Sequence, residues 1–474
     1  MNLEKNPFLK MRIAIKQWAP KLMPFADVAS ADLPLSRLLR LALFQVSVGM
    51  ATVMLIGTLN RVMIIELGLS AALVAVMVAL PLVFAPFRAM VGFKSDRHRS
   101  FLGWRRVPYI WIGSWLQFGG LAIMPFALIL LSGDTTWPEW FAQGASALAF
   151  LLVGAGMQIT QTAGLALASD IAKPESKPRV VALMYVMLLL GMVLSSVLFS
   201  FLLSDFSPIR LIQVVQGAAA LTMLLNLIAL WKQEARKPKN TDQPLATLSF
   251  RDTWKQFAAQ GRVIRFLVAL GLGTAAFGMQ DIILEPYGAE VLKLSVSETT
   301  TLTGLTAIGA LLAFAIAARY LNRAIDPHRL AAFGVLFGIV AFTCVIFSEP
   351  LLSPNLFRLG AFLIGFGGGL FSVSTLATAM GFESLGMNGL VLGAWGAVQA
   401  SAAGVAIALG GIIRDAVSSL AVSGALGSVL ESSATGYSFV YHIEVYLLFA
   451  TLIAIGPLVV VKKKSQLDSE VVLV

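Results

Sequence analysis

The sequence predicts an all-α membrane protein of about twelve transmembrane helices, arranged as two six-helix halves, and three observations predict it. Apolar residues fill 58% of the 474 positions and charged ones only 13%, with a mean hydropathy of +0.83, whereas a soluble domain is about a quarter charged. About twelve apolar stretches long enough to cross a bilayer recur along the chain. One long polar segment splits them six and six. The net charge of +10 lies between the apolar spans rather than on a soluble patch, so it reads as a topology signal and not as a nucleic-acid site.

Residues 1–38 read as a cytoplasmic segment. Within it, Pro7 to Phe25 interleaves Lys/Arg with Phe8, Met11, Ile13, Trp18 and Leu22, the pattern of an interfacial helix or a docking arm. No uninterrupted apolar run follows its basic residues, so it does not read as a cleaved signal peptide. A first bundle over 39–231 holds spans at 39–60, 70–91, 107–132, 143–168, 180–203 and 210–231. The polar stretch Lys232 to Gly261 marks a cytoplasmic linker, 232–262. A second bundle over 263–462 holds spans at 264–284, 299–318, 330–348, 356–380, 388–413 and 440–461, followed by a cytoplasmic tail, 463–474. Positive charge tests this layout, because a wrong span count would scramble its alternation between loops. It does alternate: 29 of the 35 Lys/Arg fall to one side, only Arg61, Arg210, Lys293, Arg358 and Arg414 fall to the other, and Arg88 lies at a helix end. Both termini are therefore expected in the cytoplasm.

Enzyme chemistry finds little purchase. The single cysteine, Cys344, lies in an apolar run, and no Cys/His cluster has metal-ligand spacing. A phosphate loop, a His-Glu-x-x-His helix and a nucleophile elbow are all missing, and "GFGGGL" (Gly365 to Leu370) has no strand before it to make a dinucleotide loop. The expectation is a non-enzyme with no metal ion and no nucleotide. Ionisable groups within spans are costly and so become functional candidates. Gln280, Asp281 and Glu285, with Tyr287 close behind, form a polar cluster near the outer end of the seventh span: a gate, a partner site, or a water-facing helix end. His442 and Glu444 open the twelfth span on the outer side, and Gln158, Gln161 and Thr162 form a polar group in the fourth.

The eleventh span is small on nearly every side. Gly396, Ala400, Gly404 and Ala408 repeat every fourth residue, as do Gly389, Gly393 and Ala397, and such ridges let backbones or flat ligands approach closely. Trp395 and Gln399 break that surface on one face. They read either as helix packing with one bridging amide, or as groups that stack on and ligate a planar cargo.

The stretch "GFKSDRHRSFLGWRRVPYIW", Gly92 to Trp111, follows the second span, and a weaker echo, Ala318 with Asn322-Arg323, follows the eighth. It resembles the loop motif of the major facilitator superfamily, matched by Gly92, Asp96, Arg97, Gly103, Arg105 and Arg106 with a longer spacer. The resemblance implies a cytoplasmic latch in which Asp96 lies at the N-terminus of the eleventh span, around Met387 to Gly389, and Arg97 or Arg106 pairs with Asp170. The chain departs from proton-coupled members: the fourth span has no basic residue and the fifth no proline.

Longer stretches narrow the resemblance: Leu43 to Gly68, "QTAGLALASD" (Gln161 to Asp170), Gln280 to Gly304 and Leu390 to Asp415. Together they resemble the bacteriochlorophyll delivery (PucC/LhaA) family over about Trp18 to Val461, and Lys21 to Gln45 with Ile209 to Ala220 are most like its LhaA branch. The resemblance implies an assembly factor for light-harvesting complex 1 in the intracytoplasmic photosynthetic membrane, with bacteriochlorophyll as cargo. Its implied partners are antenna polypeptides, core-complex assembly intermediates, bacteriochlorophyll synthase and membrane lipids. The residues expected to meet the cargo are Gln161, Trp395, Gly396, Gln399, Ala400 and Gly404. An alternating-access transporter of a tetrapyrrole or other amphipathic molecule is the alternative.

Overall fold

A computed structural model describes residues 34–83, 91, 95, 104–132, 136–173, 177–234, 262–321, 325–381 and 388–459. Every regular element among these is helical. We label the helices α1 Leu35–Glu66, α2 Ala71–Val83, α3 Val107–Leu131, α4 Glu139–Ile171, α5 Lys177–Leu202, α6 Pro208–Leu230, α7 Val263–Glu290, α8 Val296–Leu321, α9 Pro327–Ser348, α10 Pro354–Gly381, α11 Asn388–Val422 and α12 Ala434–Ile455. Eleven described helices are long and apolar enough to span a membrane, and α2 is followed by residues 84–90, which lie outside the described set. The chain is a multi-pass membrane protein.

Local chemistry sets many of the helix ends. Ser207 and Asp326 each accept a backbone N–H of the first turn, from Arg210 at 3.2 Å and from His328 at 3.0 Å, with Pro208 and Pro327 in the first helical positions. At α8, Ser295 and Glu298 form a reciprocal capping box: the Ser295 hydroxyl accepts from the Glu298 N–H at 3.3 Å, and Glu298 accepts from the Ser295 N–H at 3.0 Å. The middle of α7 tightens into a 3-10 turn over Met279–Ile282. Pro286 accounts for this, since it has no N–H to give the carbonyl of Ile282 and its ring crowds that carbonyl.

Two readings of the sequence change here. Arg61 and Arg414, assigned to loops, lie inside α1 and α11 instead. Helices run past the apolar windows because a helix end may be polar when side chains satisfy it: Arg61 pairs with Glu66 within a π-helical stretch of α1, and Arg414 pairs with Glu290.

Contacts divide the chain into two compact units. The first takes the described residues up to Glu234 together with Lys293–Ala307, and the second takes Arg262–Leu292 and the described residues from Ile308 onward. Each is held by close helix pairs. In the first, a Cβ on Gly156 of α4 would lie 2.5 Å from the Gln117 nitrogen and 2.6 Å from the Gly113 oxygen of α3. In the second, a Cβ on Gly334 of α9 would lie 2.7 Å from the Gly367 oxygen of α10. The "GFGGGL" stretch thus serves packing: Gly367 admits α9, and Gly368 leaves room for Phe277 of α7.

Candidate functional site

In the first unit, Arg106 at the start of α3 organises the polar end of the bundle. Its Nε donates to Asp170 Oδ2 at 3.1 Å, at the end of α4, and its Nη1 donates to the Ser95 hydroxyl at 2.5 Å. Arg106 is buried, whereas the Asp170 side chain keeps 46% exposure. Glu234, just past α6, accepts the backbone N–H groups of Arg105 at 2.7 Å, Arg106 at 3.0 Å and Val107 at 3.0 Å. A carboxylate there satisfies orphan donors and complements the positive end of the helix. Sequence reasoning missed Glu234, whose partners lie more than a hundred residues away. Gly92, Asp96, Arg97 and Gly103 lie outside the described residues, as does Met387.

Deeper in the same unit runs a polar belt. Ser47 donates to Asn226 at 2.8 Å, Asn226 donates to Gln117 at 3.3 Å, and Gln161 donates to Gln45 at 3.4 Å. Gln45, Ser47, Gln117 and Asn226 are fully buried, while Gln161 is half-buried, so it alone of these five is open to something outside the packed core.

In the second unit, the α10–α11 seam contains Trp395 and Gln399, two of the residues expected to meet cargo. Trp395 is buried and its indole N–H donates to Thr375 at 3.3 Å; the Gln399 amide donates to Ser372 at 3.2 Å. Both bridge α11 to α10. The neighbouring ridge is different, because among the described residues a Cβ on Gly396 would meet nothing within 4 Å. Ala400 is half-buried beside it and Gly404 is buried.

The Gln280, Asp281 and Glu285 cluster is not a water-facing helix end. Gln280 is 5% and Glu285 3% exposed, and Asp281 is half-buried, because the 3-10 turn of α7 carries them against α11 and α12. The sequence placed Glu444 at an outer helix start, yet α12 begins at Ala434 and Glu444 is fully buried. Beside it stands an aromatic cluster in which the Tyr287 ring lies 5.4 Å from that of Tyr437 and 5.5 Å from that of Tyr441. Arg414 closes the arrangement, donating to Glu290 at 2.6 Å, to Tyr437 at 2.8 Å and to Asp415 at 2.8 Å, with its guanidinium 4.4 Å above the Tyr437 ring. Among the described residues, no group of three or more His, Cys, Asp or Glu could hold a metal ion.

This helical architecture is the major facilitator fold. The chain superposes with a TM-score of 0.64 on a point variant of the nucleoside transporter NupG, 16% identical, covering 88% of this chain and 99% of that one, which shows the fold. The PUCC protein family profile matches residues 58–463, and the chain belongs to that family. It is 54% identical over 439 residues to an "Uncharacterized protein in puhA-bchM intergenic region" of Rhodobacter capsulatus, covering 92% of each chain. It is likewise 54% identical over 419 residues to "Protein PucC" of Rhodovulum sulfidophilum, covering 87% of this chain and 92% of that one.

Proposed function

We propose that the chain is a membrane-embedded assembly factor for photosynthetic light-harvesting antenna, serving light-harvesting complex 1 and handling bacteriochlorophyll or nascent antenna polypeptides. Membership of the PucC family over residues 58–463 carries this reading. The protein resides in the bacterial inner membrane, in its intracytoplasmic photosynthetic part, with both termini cytoplasmic. Antenna polypeptides, core-complex intermediates and bacteriochlorophyll synthase are its partners, and the reading assigns it no catalytic step.

The pigment is cargo: a flat, apolar, metal-centred ring that needs an open small-residue surface and a neutral ligand. The Gly396 ridge offers the surface, since among the described residues no atom lies within 4 Å of where a Cβ on Gly396 would stand. Gln399 offers the ligand, because its amide N–H is held by Ser372 and its carbonyl oxygen is the neutral group that magnesium accepts. Likeness to NupG supports a second reading, an alternating-access transporter of an amphipathic molecule.

Deleting the gene in its pigmented host separates these readings. The expected strain loses mature antenna, the core ring above all, while bacteriochlorophyll synthesis continues, as pigment extracts and membrane absorption spectra report. Accumulation of an early pigment precursor would identify a biosynthetic role and overturn the proposal. Normal antenna together with altered uptake or export of a tetrapyrrole would favour the transporter.

A further inference from the structure

Glu444 is fully buried in α12, and neither of its carboxylate oxygens has a hydrogen-bond partner. The backbone N–H of Gln280 faces it. Two further polar atoms, neither from an acid, are in the same condition. The Tyr441 hydroxyl, in electrostatic reach of Glu444 and Glu285, is fully buried and unpartnered, and so is the side-chain oxygen of Gln280, which is 5% exposed. Native interiors rarely leave one buried polar group unsatisfied, and here several converge.

Among the described residues, Asp281 is the charged group that acts on Glu444, and no cation does; the titratable groups of the helices packed nearby are the following. From α7 come Asp281, Glu285, Tyr287 and Glu290, and from α12 itself Tyr437 and Tyr441. From α11 come Asp415 and Arg414, and Arg414 is engaged with Glu290, Asp415 and Tyr437. The end of α9 adds Ser348 and, just beyond it, Glu349, while His442 and Tyr446 are exposed. An ionised carboxylate without a countercharge is a costly buried group, and a neutral acid is a tolerable one. The described residues offer no arrangement fit for a metal ion.

We propose that the second unit carries a proton-binding site at Glu444, reached from water through the half-buried Asp281. The proton passes from water to an Asp281 oxygen and on to an oxygen of Glu444, with Gln280 and Tyr441 as hydrogen-bond partners, and it leaves by the same route. When the proton departs, the new carboxylate must draw in donors, the Tyr441 hydroxyl and the Gln280 N–H being within reach, so protonation and the packing of α7 on α12 are linked. The site differs from the fourth- and fifth-span features whose lack the sequence shows, and it does not depend on what cargo the protein handles.

Infrared spectroscopy of the full-length protein in detergent, titrated with pH in H2O and D2O, tests this. The wild type should show the carbonyl band of a buried protonated carboxyl that shifts in D2O and fades as pH rises; Glu444→Gln should remove it and Asp281→Asn should move its midpoint. A hydrophobic carbodiimide, which captures protonated carboxyls, should modify Glu444 in acid, with labelling falling roughly tenfold for each pH unit beyond the midpoint. A wild type without the band overturns the proposal, as does a band retained in Glu444→Gln. Protection of Glu444 by sodium at fixed pH also overturns it, by assigning the site to an alkali cation.

Discussion

Arg414→Met should lower the stability of the second unit by about 3 kcal/mol, the low end of the range for breaking a buried ion pair. The Arg414 side chain is only 13% exposed and holds two carboxylates and a tyrosine at once, so its loss leaves Glu290 and Asp415 without their shared cation. Those acids keep 27% and 21% exposure, and the water they reach holds the cost below the upper end. Adding Glu290→Gln to Arg414→Met should recover part of the loss, because an uncompensated charge is then gone. The midpoint of thermal unfolding in detergent checks both. Equal midpoints for the wild type and Arg414→Met would show that the network adds nothing.

Bulk at two glycines should have opposite consequences. Gly334→Leu puts a branched side chain where even a Cβ would stand 2.7 Å from the backbone of both Gly367 and Phe371. Backbone atoms cannot rotate aside, so the cost is about 3 kcal/mol or more, and little folded protein should survive extraction. Gly396→Leu enters open space and should unfold with the wild type. The comparison matters because overpacking and blockade of a cargo surface both reduce function, and only position 396 separates them. Size-exclusion profiles and thermal midpoints provide the test; a Gly396→Leu protein as unstable as Gly334→Leu would make the ridge a packing surface.

Much of the fold was legible in the sequence because a membrane helix announces itself through a long apolar run, and positive charge orders the loops. The helix ends were less so: Arg61, Arg414 and Glu444 interrupt apolar runs, and composition alone reads an interruption as a boundary. In space each is inside a helix: Arg61 is held by Glu66 five residues on, and Arg414 by Glu290, which only the packed chain brings close. The site was legible in part. Trp395 and Gln399 were placed on one face by their spacing, while the Thr375 and Ser372 that hold them come from α10, at no spacing a sequence displays. Glu234 and Tyr441 gave no local signal, since capping across a hundred residues and a missing hydroxyl partner are properties of packing. An unpaired glutamate within an apolar run, as at Glu444, was the one available clue.

Purification from pigmented membranes of the wild type and of Gly396→Leu, with absorption spectra and identification of bound polypeptides, tests the central claim most directly. The account predicts bacteriochlorophyll and antenna polypeptides with the wild type, and a Gly396→Leu protein of equal stability that has lost the pigment. A colourless wild type, free of antenna polypeptides, would contradict it.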